Sequence, residues 1–171
     1  MASKKASPKS SPKAVKTKKA AKAKASPFRV LAISGPNLQL LGTREPEIYG
    51  TTTLDQLHEE LFEYAAVQGV ELDVMQTNHE GIICDAIADA RGKYDGLLLN
   101  AAAYTHTSLA IFDALKATRV PCVEVHLSNP AAREAYRKES MIAPACVGVV
   151  SGFGKDSYIL ALAGLIRRLA Q

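Results

Sequence analysis

Five predominantly apolar runs punctuate the chain, at Val30–Ile33, Glu71–Gln76, Gly96–Leu99, Pro121–Val125 and Ala145–Val150, and each is followed by a stretch of helical periodicity. Strands that stay apolar instead of alternating are buried on both faces, and a regular strand–helix succession requires a parallel sheet with helices on either side. Leu54, Leu57, Leu61 and Ala65 form the apolar face of the first helix, closed by Gly69. Ile83, Ile87 and Ala90 belong to a second helix, capped within Thr77–Glu80 and ending near Arg91. Leu109, Phe112 and Leu115 mark a third, capped by Thr107 or Ser108. Asn129-Pro130 is a start signal for a helix through Lys138, and the Gly152-Phe153-Gly154 turn leads into a long apolar helix at 156–169. At this length the pattern predicts one α/β domain, flavodoxin-like, with strand order 2-1-3-4-5.

The catalytic domain is expected to span 27–171, because residues 1–26 are Lys, Ala, Ser and Pro with two SPK triplets, and bury nothing to offset the entropy of ordering. That tail holds nine Lys and no acid. Of 21 basic residues, 12 therefore remain in the domain against all 17 acidic ones, a net of about −5. A Lys-rich tail is expected to be disordered and to attract polyanions nonspecifically, and a nucleic-acid-associated protein acting through it is the alternative functional reading. Cys84, Cys122 and Cys146 form no CxxC pair, so they read as buried thiols of a reducing compartment. No apolar run nears the roughly 20 residues that cross a bilayer. A cytoplasmic protein without membrane contact is expected.

The polar groups concentrate where open α/β sheets bind ligands, beyond the carboxyl ends of the strands. The first connection, Ser34–Gly50, is far longer than the usual 4–6 residues. Asn37 leaves the first strand there. Arg44 and Tyr49 flank Glu45-Pro46, and a guanidinium beside a phenol favours the phenolate, making a base of it; otherwise Arg44 pairs with Glu45 or Glu47 and Tyr49 is a loop anchor. Asn100 ends the third strand. Glu124 and His126, two residues apart on the fourth, project to one side, and a carboxylate there would orient the imidazole as a proton donor. Ser128 continues that face, His106 lies in the hydroxyl-rich Tyr104–Ser108 loop, and Arg133 and Arg137 follow at i and i+4, serving an anion or pairing with Glu134.

No GxxxxGK[ST] or GxGxxG follows a strand, no metal-ligand spacing occurs, and Gly148–Gly152 lacks the serine of a nucleophile elbow. Lys93, Lys116, Lys138 and Lys155 lie near helix ends or in turns, unlike a buried Schiff-base amine. Proton transfer on a small polar anion, without metal or cofactor, is the chemistry left.

The segments GPNLQLLGTREPEIYG, NAAAYTHTS and VEVHLSN, in this order and at these separations, resemble type II 3-dehydroquinate dehydratase from about Phe28 to Leu169. The resemblance implies anti elimination of water from 3-dehydroquinate through an enolate, giving 3-dehydroshikimate, with no metal or Schiff base. It implies Tyr49 as the base, with Arg44 lowering its pKa and steadying negative charge. His126, oriented by Glu124, would protonate the leaving hydroxyl, and Asn37 would hold the enolate through a water. Leu127 and Ser128 would take the carboxylate, Asn100, His106 and Arg137 the ring hydroxyls and carboxylate side, and Arg133 would support the closed loop. The family forms a homododecamer of four trimers in which an acid matching Asp113 reaches a neighbour's site; by itself Asp113 reads as a surface acid. Asn100-Ala101-Ala102-Ala103 stands where the family often has Asn-Pro-Gly, and Phe112 where it often has Arg; these are departures from the family's pattern.

Overall fold

The computed structural model describes residues 16–17, 28–43 and 51–171. Five parallel strands form the sheet: β1 (Arg29–Ser34), β2 (Glu71–Gln76), β3 (Gly96–Asn100), β4 (Cys122–His126) and β5 (Gly148–Ser151). Their order is β2-β1-β3-β4-β5, as the strand–helix succession implies, and Lys16–Thr17 adds antiparallel to the outer edge of β2. The rest of the 1–26 tail, expected to be disordered, lies outside the described residues. Helices α1 (Leu54–Val67), α2 (Glu80–Ala90), α3 (Leu109–Thr118) and α4 (Asp156–Leu169) cover the two faces in pairs.

Side-chain alternation along the strands splits the interior in two. Val30, Ala32, Leu98, Val123 and Val125 meet Leu57 and Leu61 of α1 and Tyr158 and Leu162 of α4. Leu31, Ile33, Leu97, Leu99 and Cys122 meet Ile83 and Ile87 of α2 and Ile111 and Leu115 of α3. Because both faces of β3 are covered, all five of its residues are buried. The α1 start is a reciprocal capping box: Gln56 N–H donates to Thr53 Oγ1 at 3.2 Å and Thr53 N–H to Gln56 Oε1 at 2.9 Å.

Three expectations are corrected. Residues 130–138 form no single helix but two 3-10 turns, Pro130–Ala132 and Ala135–Arg137, because Arg133 between them is extended (φ −92°, ψ −175°). The fifth strand begins at Gly148, since Ala145 still belongs to a 3-10 turn at Ala143–Ala145, where the Ala145 and Cys146 N–H groups donate at 2.9 Å to the Ile142 and Ala143 carbonyls rather than to a neighbouring strand. Of the cysteines only Cys122 is buried; Cys84 and Cys146 are partly exposed. A hydrogen bond with Cys146, together with burial, pushes the Cys122 thiol well up.

Candidate active site

The carboxyl ends of β1, β3 and β4 open onto one cleft of about 200 Å³. Asn37 lines it from the β1–α1 connection, Asn100 from the end of β3 and His106 from the 3-10 turn that follows. His126, Leu127 and Ser128 line it from the end of β4, and Arg133 and Arg137 from the two 3-10 turns beyond. Eight sequence-predicted residues thus share one cavity. Asp113 is not among its lining; it is exposed on α3. Arg44 and Tyr49 lie outside the described residues.

Each side chain is set by local geometry. Asn37 occupies the left-handed region at φ 67°, which asparagine tolerates better than most residues, and its N–H donates to Asn78 Oδ1 at 3.0 Å. Gln76 Nε2 donates to the same oxygen at 2.9 Å, so the β2–α2 connection anchors the start of the long first loop. Gly35, just before, is required by close approach. Its N–H donates to the Asn100 carbonyl at 2.8 Å, and a Cβ there would lie 2.7 Å from Ala101 backbone atoms.

Glu124 and His126 do share a face of β4. Nε2 of His126 lies 2.5 Å from Glu124 Oε1, the carboxylate being 1% and the imidazole 10% exposed. A carboxylate oxygen accepts, so Nε2 carries the proton of that bond and Nδ1 is the nitrogen left for the cleft. Ser140 Oγ donates to the second oxygen, Oε2, at 2.8 Å and accepts from Ala143 N–H at 2.9 Å. Ser140 is a positioning group that sequence reasoning missed; it is 16 residues from its partner, and no local spacing reveals it. His106 Nδ1 lies 2.6 Å from the Glu139 carbonyl oxygen, so Nδ1 bears the hydrogen and Nε2 is left as an acceptor.

Arg133 Nε and Arg137 Nε each lie 3.4 Å from Glu134 Oε2. The pairing with Glu134 therefore occurs while both guanidinium groups still line the cleft. A backbone hydrogen bond and the two arginines hold the Glu134 carboxyl below the usual carboxylate range. Two guanidinium groups and the Ser128 segment thus line one wall of the cleft, and a planar guanidinium is suited to a carboxylate ligand.

The turn that aims Asn100 is where the chain departs from Asn-Pro-Gly. Ala102 takes φ 51°, a left-handed conformation costly for any residue with a Cβ, and its N–H donates to Asn100 Oδ1 at 3.2 Å. The side chain thus braces its own turn.

The family model described as dehydroquinase class II matches residues 28–166. This chain belongs to that family. Among curated relatives of this dehydroquinase, the 3-dehydroquinate dehydratase of Jannaschia sp. is 52% identical over 144 residues, 84% of this chain and 97% of the relative. That of Geotalea daltonii is 50% identical over 142 residues, 83% and 99% of the two chains. Of solved structures, the type II dehydroquinase from Butyrivibrio crossotus superposes with a TM-score of 0.80 at 40% identity, covering 81% of this chain and 97% of that one. The type II dehydroquinase from Propionibacterium acnes gives 0.79 at 38% identity, covering 86% and 100%.

Proposed function

We propose that this dehydroquinase removes water from 3-dehydroquinate to give 3-dehydroshikimate, a hydro-lyase step of the shikimate pathway. The observation that carries the reading is the convergence of Asn37, Asn100, His126 and the two arginines on one cleft in a chain of this family. The phenolate of Tyr49, favoured by Arg44, takes the proton from the carbon beside the ketone. The carbon–hydrogen electron pair passes into an enolate, which Asn37 steadies. The enolate then expels the hydroxyl, and the Nδ1 proton of His126 converts it to water while Glu124 holds the ring. Turnover ends when the proton on Tyr49 is returned and His126 is reprotonated. The substrate carboxylate sits against Leu127 and Ser128 beside Arg137, His106 and Asn100 hold ring hydroxyls, and Arg133 supports the closed loop.

The same reading takes the assembly as a dodecamer of trimers in a cytoplasmic setting, with Asp113 serving a neighbouring site; its exposure on α3 is compatible with that contact. Residues 27–171 act as the catalytic domain, and the basic tail meets polyanions nonspecifically. No helix among the described residues is long and apolar enough to cross a membrane.

A continuous assay of the conjugated enone product tests the chemistry. Tyr49→Phe and His126→Ala should each lower kcat by about 10²–10⁴, the usual worth of a positioned acid or base, while circular dichroism stays native. Near-normal turnover in either variant would remove that residue from its role.

A further inference from the structure

Behind the cleft, on the α1/α4 face of the sheet, three polar side chains meet inside an otherwise apolar interior. Ser34 and Asn100 are register partners at the ends of β1 and β3, and Tyr158 comes from the first turn of α4. Their exposures are 0%, 3% and 1%, so each must find its partners within the protein. The Tyr158 hydroxyl lies 3.3 Å from Ser34 Oγ, and the Asn100 side chain, beside Ser34 across the β1–β3 ladder, is the other polar group bearing on the same phenol. Asn100 Oδ1 is already engaged by the Ala102 N–H at 3.2 Å. With that oxygen engaged, the amide has Nδ2 left to give, and its two hydrogens suffice for Tyr158 and for the cleft that Asn100 lines.

We infer that Tyr158 is a positioning residue, whose hydroxyl, steadied by Ser34, locks the Asn100 amide with an N–H facing the cleft and its carbonyl oxygen turned away. A side-chain amide without such a lock is free to turn over, and it would then offer a ligand oxygen an acceptor in place of a donor. Locked, Asn100 recognises an acceptor on the ligand, which fits a hydroxyl or carboxylate oxygen. Helix α4, which contributes nothing directly to the cleft lining, thereby controls what the cleft recognises. The inference deepens the proposed role of Asn100 in substrate binding and rests on it.

Tyr158→Phe removes one oxygen and keeps the ring that packs between α4 and the sheet. Steady-state kinetics with 3-dehydroquinate should show KM raised about 5- to 10-fold, the scale of one hydrogen bond, and kcat changed less than about threefold. Ser34→Ala should shift KM the same way by a smaller factor, with both variants melting cooperatively. In an Asn100→Ala background, Tyr158→Phe should raise KM no further. An equal KM increase in both backgrounds would mean the phenol acts through packing alone, and an unchanged KM in Tyr158→Phe would likewise overturn the inference. Should Asn100→Ala by itself leave KM unchanged, the assignment of Asn100 to the substrate falls, and this inference with it. That result is distinguishable because it is read in a variant with Tyr158 intact.

Discussion

At the scale of single residues, the site's more visible half is the half whose partners are near in sequence. Glu124 and His126 were legible because two residues on a strand share a face, and Asn37 and Asn100 because each directly follows or ends an apolar run. Ser140, Ser34 and Tyr158 were not, since their partners lie 16 to 124 residues away and only folding brings them together. Ala102 shows what a departure from a motif costs. Left-handed backbone costs a residue with a Cβ about 1–2 kcal/mol, whereas glycine returns about 0.4–1 kcal/mol of that through its freer unfolded chain. Ala102→Gly should therefore stabilise the protein by about 0.5–1 kcal/mol. In a chain of this size that raises the midpoint of a thermal melt by about 1–4 °C, readable by scanning calorimetry. A lower midpoint would mean that the methyl, packed at the edge of the α1/α4 core, contributes more than the strain removes.

Among the elements, those carrying long apolar periodicity fell where the pattern put them, and the exceptions have physical causes. The cap at Asn129-Pro130 does begin a turn, with Asn129 Oδ1 accepting from Ala131 N–H at 3.1 Å. Continuing it as an α-helix would require helical backbone at Arg133. Instead that residue is extended, and both guanidinium groups converge on one Glu134 oxygen. Strand β2 illustrates a constraint no periodicity announces. Its Asp73, 3% exposed, accepts from Arg29 Nη2 at 2.8 Å and from the Tyr94 hydroxyl at 2.7 Å, and Arg29 lies 4.9 Å from the Tyr94 ring centre. Burial first, then the hydrogen bond to Asp73, pushes the Tyr94 phenol up to about 12. Between about pH 10 and 12 the folded protein therefore keeps a proton that the unfolded chain releases. The stability from this group is whole below pH 10 and is lost as pH rises towards 12. Tyr94→Phe should be less stable at neutral pH, because Asp73 loses a donor, and should show a shallower alkaline decline in urea melts across that window. An unchanged slope would mean the clamp does not govern the alkaline limit.

For the molecule as a whole, the architecture was readable because every level of the sequence agrees on it, whereas the charge distribution divides the chain in two. The tail's nine Lys turn a domain of about −5 into a protein of net +4. Association with a polyanion depends on phosphate or sulfate contacts made by Lys and Arg and weakens steeply with salt, so attraction must originate in the tail and be opposed by the domain. The cleft's own positive groups, Arg133 and Arg137, are already shared with Glu134 and do not change this balance. Deleting residues 1–26 should abolish retention on immobilised heparin at low salt and leave kcat and KM with 3-dehydroquinate within about twofold, since no residue of the cleft is removed. Loss of the two-residue pairing of Lys16–Thr17 with the β2 edge should cost little, because two residues of antiparallel ladder contribute few hydrogen bonds to a sheet whose remaining edges are intact. Retained heparin binding after the deletion would place the polyanion surface on the domain, and a collapse of kcat would show that the tail takes part in forming the site.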